Sequence, residues 1–125
     1  MKILVVDDEQ DIKLLFQQRF RREIRTQEFE FAFAFSGEEA LQYLQSHAHD
    51  GVLILSDINM PGMSGLELLE KIKKSYKKPP PVVMMVTAYG DEENRNSAKN
   101  LGADGFLTKP IDFPILKEKL KEIGT

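Results

Sequence analysis

Met1-Lys2-Ile3-Leu4-Val5-Val6-Asp7-Asp8 opens the chain with four consecutive apolar residues that stop on two acids. A run this short, closed by charge and rich in β-branched residues, reads as a strand buried on both faces. It is too short for the apolar core of a secretory leader. From Glu9 to about Arg25, Ile12, Leu15, Phe16, Phe20 and Ile24 then recur at helical spacing. A buried strand feeding an amphipathic helix is the beginning of a βαβ unit, and the rest of the chain can be tested against that repeat.

The alternation continues. Glu28 to Phe35 puts Phe29, Phe31, Phe33 and Phe35 on one side and Glu30, Ala32 and Ala34 on the other, which predicts a strand with its Phe stripe in the core. Ser36 is placed to cap a helix from about Gly37 to Ser46, with Glu39 completing a capping box. Val52 to Ser56 reads as a third strand. Ser64 to Tyr76 reads as a third helix with Leu66, Leu69 and Ile72 on one stripe, ended by Pro79-Pro80-Pro81. Val82 to Val86 is a fourth strand, Asp91 to Leu101 a polar fourth helix and Gly105 to Thr108 a short fifth strand. Asp112 caps a last helix with Ile115, Leu116, Leu120 and Ile123 facing inward. Five strands alternating with five helices predict an α/β fold, doubly wound, with a parallel sheet in the order 2-1-3-4-5.

The 125 residues suit a single domain over positions 1–125, with no repeat, linker or low-complexity segment. There is no Cys, which removes disulfide and thiolate chemistry. No stretch reaches the roughly 18 apolar residues of a membrane span. Seventeen Lys+Arg against 20 Asp+Glu give a net charge of -3, which argues against a chain built to coat nucleic acid.

In doubly wound sheets, ligands sit at the carboxyl ends of the strands, where the strand order reverses. The polar residues at those ends are Asp7, Asp8, Asp57, Thr87 and Lys109. Either Asp7 or Asp8 alone would serve as a helix cap, Lys109 as a surface ion pair and Thr87 as an ordinary strand residue. None of these readings explains why all five fall at one edge. Two like charges at 4 Å cost about 4 kcal/mol at an effective dielectric of 20, so three clustered carboxylates need a cation or protons. Their oxygens suit a hard ion such as Mg²⁺.

Four blocks carry a family resemblance: Val5-Val6-Asp7-Asp8-Glu9; Ser56-Asp57-Ile58-Asn59-Met60-Pro61-Gly62-Met63-Ser64-Gly65; Val86-Thr87-Ala88; and Gly102-Ala103-Asp104-Gly105-Phe106-Leu107-Thr108-Lys109-Pro110. In this order and at these intervals they resemble the signature blocks of bacterial response-regulator receiver domains, from Met1 to about Ile123. The resemblance implies a flavodoxin-like three-layer (βα)5 sandwich. It makes Asp57 the phosphoacceptor, Asp8 a direct metal ligand, Asp7 a ligand acting largely through water, and the backbone carbonyl of Asn59 the remaining protein ligand. The ion would be Mg²⁺, with Mn²⁺ able to replace it. Thr87 and the Ala88 amide would hydrogen-bond the phosphoryl oxygens and Lys109 would ion-pair with them. The Lys109–Pro110 peptide would be cis. Thr87 and Phe106 would form the switch.

The implied donor is a phosphohistidine on a sensor histidine kinase or phosphotransfer protein. Such a domain catalyses only its own phosphotransfer and dephosphorylation and is otherwise a signalling module. Its output face, made by the fourth helix, fifth strand and fifth helix, would control a downstream effector domain or protein and could pair two copies. The implied setting is cytoplasmic, without membrane or direct nucleic-acid contact. The fourth helix, with little apolar anchoring beyond Ala98 and Leu101, is expected among the least stable elements. Tyr89, two residues after Thr87, is expected to shield the phosphoryl group from water.

Two rivals remain at this stage. A Mg²⁺-dependent phosphohydrolase with an aspartyl nucleophile often carries a second acid two residues on, where this chain has Asn59. A pseudo-receiver would act as a scaffold only. Weaker signals have bland readings. Lys71, Lys73, Lys74, Lys77 and Lys78 suit a helix C-terminus and solvent. Arg19, Arg21, Arg22 and Arg25 make the distal half of the first helix basic, as surface or as a face for an acidic partner. His47-Ala48-His49-Asp50 lacks further ligands nearby and reads as a loop.

Overall fold

The computed structural model describes residues 1–47, 52–76 and 81–124. The Pro79-Pro80 break, Lys77, Lys78, His49 and Asp50 lie outside the described residues. In chain order the elements are β1 (Lys2–Val6), α1 (Asp11–Arg19), α2 (Arg21–Arg25), β2 (Glu30–Ala34), α3 (Gly37–His47), β3 (Leu53–Asp57), α4 (Gly65–Ser75), β4 (Val82–Thr87), α5 (Glu92–Asn100), β5 (Gly105–Thr108) and α6 (Phe113–Gly124). The strands form one sheet in the order β2-β1-β3-β4-β5, all pairs parallel. The predicted doubly wound fold is the observed one.

Alternation along the central strands divides the core between two faces. Leu4, Val6, Ile54, Val83 and Met85 meet Leu44 of α3, Leu68, Leu69 and Ile72 of α4, and Ala98 of α5. Ile3, Val5, Leu53, Leu55, Met84 and Val86 meet Phe16, Phe20, and Leu116 and Leu120 of α6. The two predicted caps, Ser36 and Asp112, hold, and Ser64 and Asp91 cap α4 and α5 as well. Ser36 Oγ accepts from the Glu39 amide, Ser64 Oγ from Glu67, Asp91 Oδ1 from Asn94 and Asp112 Oδ1 from Ile115. Among the described residues, no helix is long and apolar enough to cross a membrane.

Some expectations about faces and continuity were wrong. The first helix divides at Phe20, whose backbone (φ -112, ψ 23) leaves the helical region between α1 and α2. The amide of Phe20 still bonds the Phe16 carbonyl and the Ile24 amide bonds Phe20, so the break is shallow. Leu15 and Ile24 are each 36 % exposed, and Ile115 and Ile123 are 47 % and 41 % exposed. Leu15 and Ile115 stand beside the buried lines Phe16–Phe20 and Leu116–Leu120, while Ile24 lies in α2, one turn beyond the break at Phe20. Leu66 is only partly buried, its neighbour Leu68 taking the core position. In the Phe stripe, Phe29 is fully buried while Phe31, Phe33 and Phe35 are half-buried, because β2 is an edge strand.

The turn after Phe20 carries Glu23 into the interior. Its Oε2 lies 3.0 Å from Lys117 Nζ of α6, and its Oε1 is buried without a partner. Burial opposes the charge, but the Lys117 hydrogen bond, a backbone contact and the charges of Lys117 and Lys121 outweigh it, so the carboxyl sits below its usual 4.5. An acid held below its unfolded value adds stability that is complete above that value and is lost as pH falls through the folded one. Lys117→Met should therefore cost about 2 kcal/mol at neutral pH, less than the ~3–5 of a fully buried pair, because Lys117 is one-third exposed. Urea denaturation should show the deficit shrinking as pH falls into the carboxylate range, because without Lys117 burial favours the protonated Glu23 of the variant. A deficit independent of pH would mean that the loss lies in packing.

Candidate functional site

Parallel register brings the strand ends level. Val6 pairs with Ser56, Asp57 with Val86 and Thr87 with Thr108. Asp7 and Asp8 follow β1 directly, Asp57 ends β3, Thr87 ends β4 and Lys109 follows β5. The Asp7 amide bonds the Ala34 carbonyl (3.1 Å) and the Lys109 amide bonds the Thr87 carbonyl (2.8 Å), so each is held to a neighbouring strand. The Lys109–Pro110 peptide is cis.

The carboxylates of Asp7, Asp8 and Asp57 each place an oxygen within 4.8 Å of the others, Asp7 and Asp57 buried and Asp8 exposed. Lys109 Nζ donates to Asp57 Oδ2 at 2.8 Å and lies 3.7 Å from Asp7 Oδ2. The Asn59 amide donates to Asp57 Oδ1 at 3.3 Å, which places its peptide unit beside the cluster. The Glu9 amide donates to Asp7 Oδ1 at 2.9 Å.

Electrostatics follow from this crowding. Burial pushes the Asp7 carboxyl above its usual 3.8; the Glu9 amide and Lys109 pull it back, while Asp57 and Asp8 push it further up. Burial works against the Lys109 charge, but the bond to Asp57 and the charges of Asp57, Asp7 and Glu9 outweigh it and hold the ammonium above its usual 10.5. One ammonium against three carboxylates leaves negative charge uncompensated. An all-oxygen set with one member open to water fits a hard divalent ion such as Mg²⁺.

Other predicted residues stand apart from the carboxylates. The Thr87 hydroxyl is buried and donates to the Leu107 carbonyl at 3.4 Å, facing β5. Ala88 is exposed at the same rim. Phe106 is half-buried against the core, with the Arg95 guanidinium 4.9 Å from its ring centroid. Tyr89 is 90 % exposed, so the expected shield is not in place in this conformation. The fourth predicted helix is α5, which buries Ala98 alone, as its polar sequence suggests. Lys73 bonds the Pro81 carbonyl and Asp104, and Lys74 bonds Glu70. His47 stacks on Tyr43 at 4.0 Å and lies 2.9 Å from the Tyr43 carbonyl.

Two contributors escaped sequence reasoning. Arg95 had no local signal, since Phe106 lies on another element. Gly65 sits where α4 approaches the end of β3, its amide bonding the Ile58 carbonyl at 2.8 Å.

Comparison with known proteins agrees with the geometry. The model of the response regulator receiver domain family matches residues 3–121. The chain is similar to response regulator RppA of Synechocystis sp. (strain ATCC 27184 / PCC 6803 / Kazusa), with 32% identity over 123 residues. That match covers 98% of this chain and 50% of RppA, so the chain spans about half the length of this relative. Among solved structures, the receiver domain of NtrX from Brucella abortus has a TM-score of 0.80 at 33% identity, covering 96% of this chain and 95% of that one. The chemotaxis protein CheY4 of Vibrio cholerae has a TM-score of 0.79 at 30% identity, covering 97% and 96%. The response regulator receiver domain protein of Clostridium thermocellum has a TM-score of 0.83 at 28% identity, covering 97% and 91%.

Proposed function

The chain belongs to the response regulator receiver domain family, and from that premise we propose that residues 1–125 form one receiver domain that takes a single phosphoryl group onto Asp57. The observation that carries this reading is Lys109 Nζ at 2.8 Å from Asp57 inside a cluster of three carboxylates. The family is a signalling family of two-component systems, and it implies histidine kinases or phosphotransfer proteins upstream and effectors downstream.

In the proposed step a carboxylate oxygen of Asp57 forms a bond to phosphorus while the phosphorus–nitrogen bond of a phosphohistidine breaks. Asp7, Asp8, Asp57 and the Asn59 carbonyl would hold the cation, which when bound neutralises charge between two anionic reactants. Lys109 moves its donor from Asp57 to the phosphoryl oxygens, where charge develops. The Ala88 amide and the Thr87 hydroxyl donate to the same oxygens. Positioning and electrostatics are sufficient, and no separate general base is required.

Thr87 transmits the change. Its hydroxyl now donates to Leu107, the residue after Phe106. Turning it toward the phosphoryl group frees that carbonyl and the space beside Phe106. The face of α5, β5 and α6 then shifts between two populations, with the lightly anchored α5 the element most easily moved. The same face is the proposed contact for an effector or a second copy.

Intact-mass measurement after acetyl phosphate treatment tests the reading. Wild type should gain one phosphoryl group with Mg²⁺ or Mn²⁺ and none after chelation. Labelling that survives chelation, or rapid multiple turnover of phosphate esters, overturns it.

A further inference from the structure

The open edge of the sheet at β2 has two properties that the phosphoacceptor site does not use. The Glu30 amide donates to the Met1 carbonyl at 2.8 Å, and the Ala34 carbonyl accepts from the Asp7 amide at 3.1 Å. In a parallel ladder, alternate residues bond the same neighbour. Glu30, Ala32 and Ala34 are therefore committed to β1, while Phe31 and Phe33 turn their main-chain N–H and C=O groups outward. Among the described residues, no strand lies beyond β2. Exposed edges are usually guarded by proline, bulges or inward charges. The strand Glu30–Ala34 has no proline, and its only charge, Glu30, is 3.9 Å from Lys2 on the neighbouring strand.

The same Phe residues line a cleft of about 1120 Å³ between β2 and the α1–α2 helices. Phe31 and Phe33 stack with ring centroids 6.4 Å apart and are half-buried. Arg21 and Arg25, one helical turn apart and exposed, stand on the opposite wall. Among the described residues, neither arginine has an ion-pair partner.

We propose that this edge is a docking strand for an acidic, extended segment of a partner protein. The segment adds beside β2 through the outward groups of Phe31 and Phe33, in the manner of β-strand addition. Its alternate side chains lie on the groove side, with apolar residues against the Phe rings and carboxylates toward Arg21 and Arg25. A second copy of this chain is a poorer occupant, because edge-to-edge pairing sets arginine against arginine. β2 lies at the opposite edge of the sheet from β5, so a segment bound here leaves the α5–β5–α6 face free.

The test uses fluorescein-labelled octapeptides read by anisotropy against the full chain. The probe carries Val and Glu in turn at its odd positions, which share one face of an extended strand, with Thr at the even ones; the controls replace Glu by Lys or N-methylate alternate amides of the probe. The Glu–Val peptide should bind with a Kd on the order of 10–100 µM. It should slow hydrogen exchange at the Phe31 and Phe33 amides. Arg21→Gln with Arg25→Gln should weaken binding about tenfold, the size expected for two exposed ion pairs. The N-methylated and Lys peptides should not bind. Circular dichroism of the double variant guards against misfolding, and the N-methylated control needs no variant at all. Equal binding by the Lys or N-methylated peptide, no binding by the Glu–Val peptide, or self-association of the chain through β2 in its place overturns the proposal.

Discussion

Asp57→Asn should take up no phosphoryl group from acetyl phosphate and Mg²⁺, and should also be more stable than wild type when the cation is chelated. The first result follows from removing the anionic oxygen that the proposed step requires. The second follows from the charge arrangement. Asp57 faces two other carboxylates within 4.8 Å and one ammonium at 2.8 Å. The neutral amide removes two repulsions of about 3.5 kcal/mol each at 4.8 Å and an effective dielectric of 20, and gives up one attraction of about 6 kcal/mol at 2.8 Å. Exposure of Asp8 weakens one repulsion and partial exposure of Lys109 weakens the attraction, while Asp7 and Asp57 are both buried, leaving a net gain of about 1 kcal/mol in urea denaturation. Saturating Mg²⁺ should raise wild-type stability by binding linkage and leave the variant much less affected. A variant less stable than wild type in chelator would mean that the bond to Lys109 dominates and that the crowding is not repulsive.

Gly65→Ala should be the most damaging small substitution near the site. A Cβ there would overlap the Asp57 carbonyl oxygen and lie 2.7 Å from Ile58 Cα and 2.9 Å from the Asp57 carbonyl carbon. These are backbone atoms and cannot swing aside. Relief requires α4 and the end of β3 to separate, at a cost of about 3 kcal/mol or more. Because Asp57 moves with that backbone, the phosphorylation rate should also fall, by roughly a hundredfold for a displacement near 1 Å. Gly62→Ala is the control. Its φ of +73 makes the variant strained, but the nearest atom to its Cβ is a Glu38 side-chain oxygen at 3.7 Å. It should lose about 1 kcal/mol and keep its rate. If the two variants behave alike, close approach at Gly65 does not position the nucleophile.

The strands and the rim were legible because their signals are local. Ile3 to Val6 is a closed apolar run, and a parallel sheet places whatever follows such runs at one edge. That sufficed to gather Asp7, Asp8, Asp57 and Lys109. What was not legible depends on partners distant in sequence. Nothing around Phe20 announces a break; the turn is tied to Glu23 meeting Lys117 on another helix. Ile115 and Ile123 satisfy helical spacing as well as Leu116 does, and only the breadth of the sheet beneath decides which are covered. The Thr87 hydroxyl was placed by its strand correctly at the rim, but its direction toward Leu107 is a matter of rotamer. Arg95 over Phe106 joins α5 to β5 through a contact that no spacing encodes.

The interior position of β1 has a consequence for synthesis. β1 leaves the ribosome before either of its neighbours, yet its final place lies between β2 and β3. β2 can cover one side early. The other side, with Ile3 to Val6 ready to pair, waits for β3 to emerge after α3. At about 5–20 residues per second that wait lasts several seconds. For that interval the nascent chain carries a sticky, half-paired apolar strand, and a holdase acting near the exit tunnel would find its target there.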